Sequence, residues 1–309
     1  MAAMTTICAI GTAAADIKAR MSHPALDTTD VPGRITLTPG GVSRNIAENL
    51  ARLGAPVVFI GVFGDDAQAR SVIEASRAAG MDVRPIVRAG YATAALAVML
   101  DADARQIAGV FSGDILDTLT PLDLAADHDL IRNADALLTD GGVPQPVLAY
   151  LADTVRPDAL FYCNPASAAL AARLPAILHR CDLVTCNHLE AEALTGVAIQ
   201  SDAGAWQAAH QLIGRGVRRA VITLGSRGLV YADATRQAHR LALPTRVIDA
   251  TGAGDALAAA LIFAHLRGDS IDTALSLGLA AAALTCQAET SVSPAMSLDV
   301  LSALSSTHL

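Results

Sequence analysis

The chain has 309 residues, 52% of them hydrophobic and 17% charged, and carries a net charge of −8 at pH 7. Such a composition fills a large core and is too apolar for disorder, and an acidic chain without a basic run is a poor partner for nucleic acid. The longest apolar stretch, Ala256 to Leu266, has the size of a core helix rather than of a membrane span. Met1 to Ile7 lacks the basic start and long apolar run of a signal peptide, so a cytoplasmic protein is expected. Lys18 is the only lysine, and it lies in neither a Gly-rich loop nor a protein-kinase context. P-loop and protein-kinase chemistry, which need a lysine in those contexts, are thereby disfavoured, and a pyridoxal Schiff base would have to use Lys18. Cys8, Cys163, Cys181, Cys186 and Cys286 are odd in number and scattered, which predicts buried, reduced thiols without a disulfide framework or a structural zinc.

In chain order, Thr6 to Gly11 reads as a first strand. Pro24, Pro32 and Gly33 break up the next stretch, and Arg34 to Thr38 alternates as a strand with one polar face does. Gly40-Gly41 leads into a helix from Ser43 to Leu53 closed by Gly54. A buried strand, Pro56 to Val62, and a helix, Ala67 to Ala79, follow. Met81 to Val87 and Ala92 to Leu100 read as strands, the latter turning at Asp101-Ala-Asp103 into Gln106 to Phe111. Thereafter Ala136 to Thr139, Ala159 to Cys163, Leu183 to Thr185 and Ala220 to Leu224 are short strands separated by helical stretches. Strands alternating with helices imply parallel βαβ units with right-handed crossovers. The alternating segments near 17–38 and 92–111 depart from that rhythm and are expected to form a small β excursion, a lid on a single domain spanning 1–309. An apolar face on Ala94 to Leu100 suggests a homodimer in which two lids pair.

Two segments carry chemistry. Asp249-Ala-Thr-Gly-Ala-Gly-Asp255 follows an apolar run, read as a strand ending at Ile248, and opens the helix Ala256 to Leu266. Gly252 and Gly254 let successive N–H groups point at one spot at a helix N-terminus, where the macrodipole favours an anion. A carboxylate beside such a cradle, Asp255, suggests a task beyond folding, although acidic first-turn residues also occur in ordinary helices. In Pro39-Gly-Gly-Val-Ser-Arg-Asn45 a second glycine pair precedes a helix. It is either a flexible turn before an amphipathic helix, or a place where Gly40-Gly41 admits a hydroxylated ligand to the backbone and Asn45 hydrogen-bonds it.

These two segments, in this order, resemble the N- and C-terminal signatures of the ribokinase-like (PfkB) carbohydrate kinases, and the resemblance extends from the first strand to the C-terminus. It implies a doubly wound, mostly parallel α/β sheet flanked by helices, with a small β-sheet lid. It also implies ATP and Mg²⁺ as cofactors, with K⁺ in many relatives, and a small-molecule sugar or nucleoside as substrate. Asp255 would be the general base, and Gly252, Ala253 and Gly254 the anion hole. Asp16 would accept two sugar hydroxyls. Asn187-His-Leu-Glu190 resembles the segment that organises Mg²⁺ through water, and Thr223, Gly225 and Gly228 the nucleotide-binding turn, with an ordinary hairpin as the alternative. Asp249, with backbone carbonyls near Ser291, corresponds to a monovalent-cation site. Ala14 replaces an asparagine usual in ribokinases, which speaks against ribose. The run Pro39 to Ala51 and the tail Leu284 to Thr290 are most similar to the pseudouridine-phosphorylating branch of the family, including Arg44, expected at the substrate or the lid. Thr93 is expected to face the base. The alternatives are a kinase for another nucleoside or a sugar acid, and a non-catalytic nucleoside or sugar sensor on the same fold.

Overall fold

The computed structural model describes residues 6–23, 31–102 and 106–306. The elements run β1 (Ile7–Ile10), β2 (Ala14–Met21), β3 (Gly33–Gly40), α1 (Val42–Arg52), β4 (Val57–Gly64), α2 (Ala67–Ala78), β5 (Asp82–Arg88), β6 (Ala95–Leu100) and β7 (Gln106–Ser112). There follow α3 (His128–Asn133), β8 (Ala136–Asp140), α4 (Gln145–Thr154), β9 (Leu160–Asn164), β10 (Leu183–Asn187), α5 (His188–Thr195), α6 (Asp202–Gly214), β11 (Arg219–Thr223), β12 (Leu229–Asp233) and β13 (Gln237–Arg240). The chain closes with α7 (Ala253–Leu266), α8 (Ile271–Cys286) and α9 (Leu298–Ser306).

Nine strands form one sheet in the order β13-β12-β11-β10-β9-β8-β1-β4-β5. It is parallel from β11 to β5, and β12 and β13 add an antiparallel edge. The central strands are buried throughout because helices cover both faces: all of Ile7 to Ile10 and of Ala136 to Asp140 is buried, the latter ending in Thr139 and Asp140. α7 is apolar on every side, as befits a helix enclosed by others, and its residues Ala256 to Ile262 are all buried. Cys8, Cys163, Cys181 and Cys186 are buried free thiols and Cys286 is half-buried, as expected. Among the described residues, no helix is long and apolar enough to cross a membrane.

The departures from the parallel rhythm form a second, four-stranded sheet in the order β3-β2-β6-β7. This is the expected lid; residues 24–30 and the end of the Asp101–Asp103 turn lie outside the described residues. Its register assigns each side chain a face. Asp16, Lys18, Leu96, Val98 and Phe111 share one side, which faces the cleft; Ile17, Ala19, Ile35, Leu37, Ala97, Met99, Ala108 and Val110 share the other. One expectation fails. Residues 241–248 form no strand, for the sheet ends at β13 and Pro244 has no N–H to give a ladder. The segment hangs instead on the end of α8, with the N–H groups of Ile248 and Asp249 donating to the Cys286 carbonyl at 2.8 and 3.2 Å.

Candidate active site

The strand order reverses between β8 and β1, and open α/β sheets form a ligand crevice at the carboxyl ends of strands at such a point. Asp140, which ends β8 and is completely buried, builds this junction. It accepts from Thr12 N and Oγ1 (2.9 and 2.7 Å), from Ser43 N and Oγ (3.0 and 2.6 Å) and from Gly142 N (2.8 Å). One carboxylate thus ties the turn after β1, the start of α1 and the turn after β8. Sequence inspection passed over it, although a strand ending Leu-Leu-Thr-Asp-Gly-Gly is a visible signal.

The junction delivers the N-terminal motif. Gly41 sits at φ +98°, and a Cβ there would lie 2.4 Å from the Thr12 carbonyl; one on Gly40 would lie 2.1 Å from the Asp16 carboxylate. The glycines let the chain pack closely on itself, Gly40 lying directly against the Asp16 carboxylate. Of the two places expected for it, Arg44 bonds to the lid strand β3. It is 1% exposed and engages the protein's own acceptors: Nε donates to Gly40 O at 2.8 Å, one terminal nitrogen to Glu48 at 2.5 Å, the other to Pro39 O at 3.2 Å and to Asn45 Oδ1. Arg44 therefore holds the turn and orients Asn45 rather than touching substrate. With Oδ1 occupied, Asn45 directs its Nδ2 across the cleft to Asp255 Oδ2 at 2.8 Å. That bond joins two motifs 210 residues apart.

The C-terminal motif opens α7 as expected. Gly252 is the left-handed N-cap at φ +81°, and a Cβ on it would fall 1.9 Å from Ser291 O. Beyond it the Gly254 and Asp255 N–H groups lack intrahelical acceptors at the positive end of the helix dipole, while Ala253 N–H donates to Ala250 O at 3.3 Å. Space beside Gly254 is open, since a Cβ there would meet nothing within 4 Å. Asp255 stands in this turn with its carboxyl pushed up to about 8. Burial is the main cause, and the nearby charges of Glu190, Asp140 and Asp16 add to it against the Asn45 hydrogen bond. Asp16, on β2, is buried and accepts from Ser291 Oγ at 2.9 Å. Burial raises its pKa, while Ser291, Lys18 and Arg44 counteract.

The remaining expected residues line the ends of β10 and β11. Asn187 and Glu190 form a reciprocal cap on α5: Glu190 N donates to Asn187 Oδ1 at 3.0 Å, and Asn187 N to Glu190 Oε2 at 2.8 Å. Burial raises the Glu190 carboxyl, and its charge reaches Asp255. Thr223 lies level with Asn187 in the β10–β11 ladder. Gly225 and Gly228 shape the β11–β12 hairpin, where Leu224 N donates to Gly228 O at 2.8 Å. The hairpin reading and the position beside Asn187 hold together. Thr93 differs from expectation. Its hydroxyl donates to Asp66 at 2.7 Å and accepts from Gly64 N at 3.1 Å, so it anchors the lid to β4 and α2.

The charges of Asp16, Asp140 and Glu190 all bear on Asp255, while among the described residues no three acidic, His or Cys side chains are grouped to ligate a metal directly. Glu190, with Oε1 outside its cap bonds, fits the water-mediated Mg²⁺ role. The monovalent-cation site does not fit in the same way. Asp249 Oδ2 is already ion-paired with the Lys18 ammonium, and Oδ1 accepts from Thr251 N at 2.8 Å. Burial acts to raise the Asp249 carboxyl, but Lys18 and Thr251 outweigh it and hold it below its ordinary value. Lys18, Asp140, Ser43 and Thr12 are the site residues that sequence inspection missed.

An anion cradle at a helix N-terminus, a carboxylic acid within it and a second carboxylate under a lid define a phosphotransferase acting on a hydroxylated small molecule. The chain belongs to the pfkB family of carbohydrate kinases, whose profile matches residues 4–297. It is 29% identical to the pseudouridine kinase of Escherichia coli (strain K12) over 283 residues, 90% of each chain. Among solved structures it is similar to a carbohydrate kinase from Agrobacterium tumefaciens at 30% identity and a TM-score of 0.84, covering 98% of this chain and 97% of that one. Arabidopsis thaliana ribokinase complexed with ribose and ATP shares the fold at 24% identity and a TM-score of 0.84, covering 98% and 99%. The chain is thus an ATP-dependent carbohydrate or nucleoside kinase with the expected doubly wound sheet and β lid.

Proposed function

We propose that the chain transfers the γ-phosphoryl group of ATP to the 5′-hydroxyl of pseudouridine. The observation that carries the catalytic reading is the Asn45–Asp255 hydrogen bond, which sets the base of one motif against the sugar-side residues of the other. Asp16 accepts the ribose hydroxyls, and the 5′-oxygen faces Asp255. Burial keeps the Asp255 carboxyl raised to about 8; once ionised, it accepts the proton of the attacking hydroxyl as the new P–O bond forms. The Asn45 N–H favours the ionised form, and the Gly252–Gly254 turn aims N–H groups at the oxygens of the transferring group. The bond between the β- and γ-phosphates breaks as the new one forms, and ADP leaves; Asn187, Thr223, Gly225 and Gly228 bound the nucleotide side, and Glu190 would hold Mg²⁺ through water, the metal offsetting phosphate charge when bound.

Two observations favour a nucleoside over ribose. Ala14 is buried and offers no side-chain hydrogen bond where ribokinases carry an amide. On the lid, Leu96 and Phe111 are register neighbours on the cleft-facing side, and Phe111 is 45% exposed, a ring available for a base to stack on. The likeness to the E. coli pseudouridine kinase selects pseudouridine among nucleosides. The opposite lid face exposes Ile35, Leu37, Met99 and Val110, and it pairs with the same face of a second copy in a homodimer. The test is ADP release with ATP and Mg²⁺ against pseudouridine, uridine, adenosine, cytidine, ribose and 2-keto-3-deoxygluconate. Fastest turnover on pseudouridine is expected; preference for another member of the panel refutes the substrate assignment and keeps the kinase.

A further inference from the structure

Lys18 is the one lysine of the chain, and the structure buries it. A buried ammonium is costly unless charge-paired, so its placement calls for a reason. It stands on β2 two residues after Asp16, on the same cleft-facing side of the lid. From there it reaches the loop ahead of the anion hole, pairing with Asp249 Oδ2 and donating to the Glu289 carbonyl at 3.5 Å. Glu289 O is two residues from Ser291, whose own carbonyl abuts Gly252. Lys18 therefore bonds a carboxylate and a backbone carbonyl directly behind the anion hole. Those are the ligand types, at the place, that a dissolved alkali cation would need. An ammonium group and K⁺ have similar size and equal charge, and one position cannot hold both.

We propose that the Lys18 ammonium is a built-in monovalent cation, supplied by the lid, which makes phosphoryl transfer by this chain independent of K⁺. It acts as a positioning residue. By neutralising Asp249 it leaves Oδ1 to hold the Thr251 N–H, and so sets the turn that leads into Gly252. A fixed positive charge also stands behind the N–H groups that receive the phosphoryl oxygens. Because the ammonium arrives on the same strand as the sugar-binding Asp16, lid position and anion-hole geometry are joined through β2.

The inference rests on the kinase reading, so the test has one arm that needs no turnover. Wild type and Lys18→Met are each melted in KCl and in tetramethylammonium chloride at equal ionic strength. The wild-type midpoint is the same in both salts, whereas that of Lys18→Met rises in KCl as K⁺ enters the vacated position. In the second arm, with whichever panel substrate turns over, the wild-type rate is equal in the two salts. Lys18→Met loses about 10–100-fold in tetramethylammonium, the cost typical of losing an outer-shell partner, and regains activity when K⁺ is added. Wild-type stimulation by K⁺ overturns the proposal, as does a Lys18→Met protein that is equally active, or equally inactive while folded, in both salts. If no panel substrate turns over, the panel has failed the substrate assignment, and the melting arm alone decides the cation.

Discussion

Replacing Asp255 by asparagine separates the cost of the buried carboxyl from its proposed catalytic use. Folding moves its pKa from 3.8 to about 8, with burial as the first cause and the charges of Glu190, Asp140 and Asp16 next. A carboxyl whose pKa is higher in the fold than in the unfolded chain contributes fully below the unfolded value, and that contribution is lost as pH rises toward the folded value. The span is roughly four pH units at about 1.4 kcal/mol each, a ceiling near 6 kcal/mol; water on the cleft side reduces this to on the order of 2–3 kcal/mol. Asparagine has the same shape and no charge, and it can still accept the Asn45 N–H. Asp255→Asn should therefore melt together with the wild type near pH 4 and above it at pH 8–9, by about 3–5 °C for a domain of this size. Turnover should fall by about 10²–10⁴-fold while substrate binding by calorimetry is retained. Thermal scans from pH 4 to 9 test this directly. Equal midpoints across the range would show that Asp255 titrates as an ordinary solvated carboxylate, and the account of its environment would be wrong.

Four further outcomes follow from the same geometry. The wild-type kcat/KM should climb with pH and level off above about 8, because only the ionised Asp255 of the free enzyme accepts a proton; a limb near 4 would contradict its raised pKa. Arg44→Met should cost about 3 kcal/mol in urea unfolding by removing one partner of a buried pair, and Arg44→Lys should not restore it, since an ammonium cannot span Gly40 O, Glu48 and Asn45 together. Gly252→Ala, with its Cβ 1.9 Å from Ser291 O, should lower kcat by about 100-fold as the turn before α7 shifts, measured by steady-state kinetics. Phe111→Ala should raise KM for nucleosides by about 5–100-fold and leave any ribose turnover unchanged; equal effects on both would remove Phe111 from the base subsite.

Much of the fold was legible because periodicity is local. Uninterrupted apolar strands, alternating lid strands and glycine-closed helices announce themselves within ten residues, as do the two glycine motifs and Asp255. The failure at 241–248 is equally local in origin: an apolar run has the same appearance whether a sheet has room for it or not, and here β13 already forms the edge. Side-chain partners were not legible, since they are set by which segments the fold brings together. Arg44 could serve substrate or lid until α1 and β3 enclosed it, and Thr93 was expected to face the base, whereas its hydroxyl goes to Asp66. Asp140 gained its meaning from Thr12 and Ser43, about 130 and 100 residues away. Lys18 and Asp249 lie 231 residues apart, and no spacing rule links them. The sequence alone determined the class of chemistry, because that depends on residue types held in short motifs. Only the tertiary structure decided which charge each carboxylate faces, because burial and charge proximity exist only once the lid and the sheet have met.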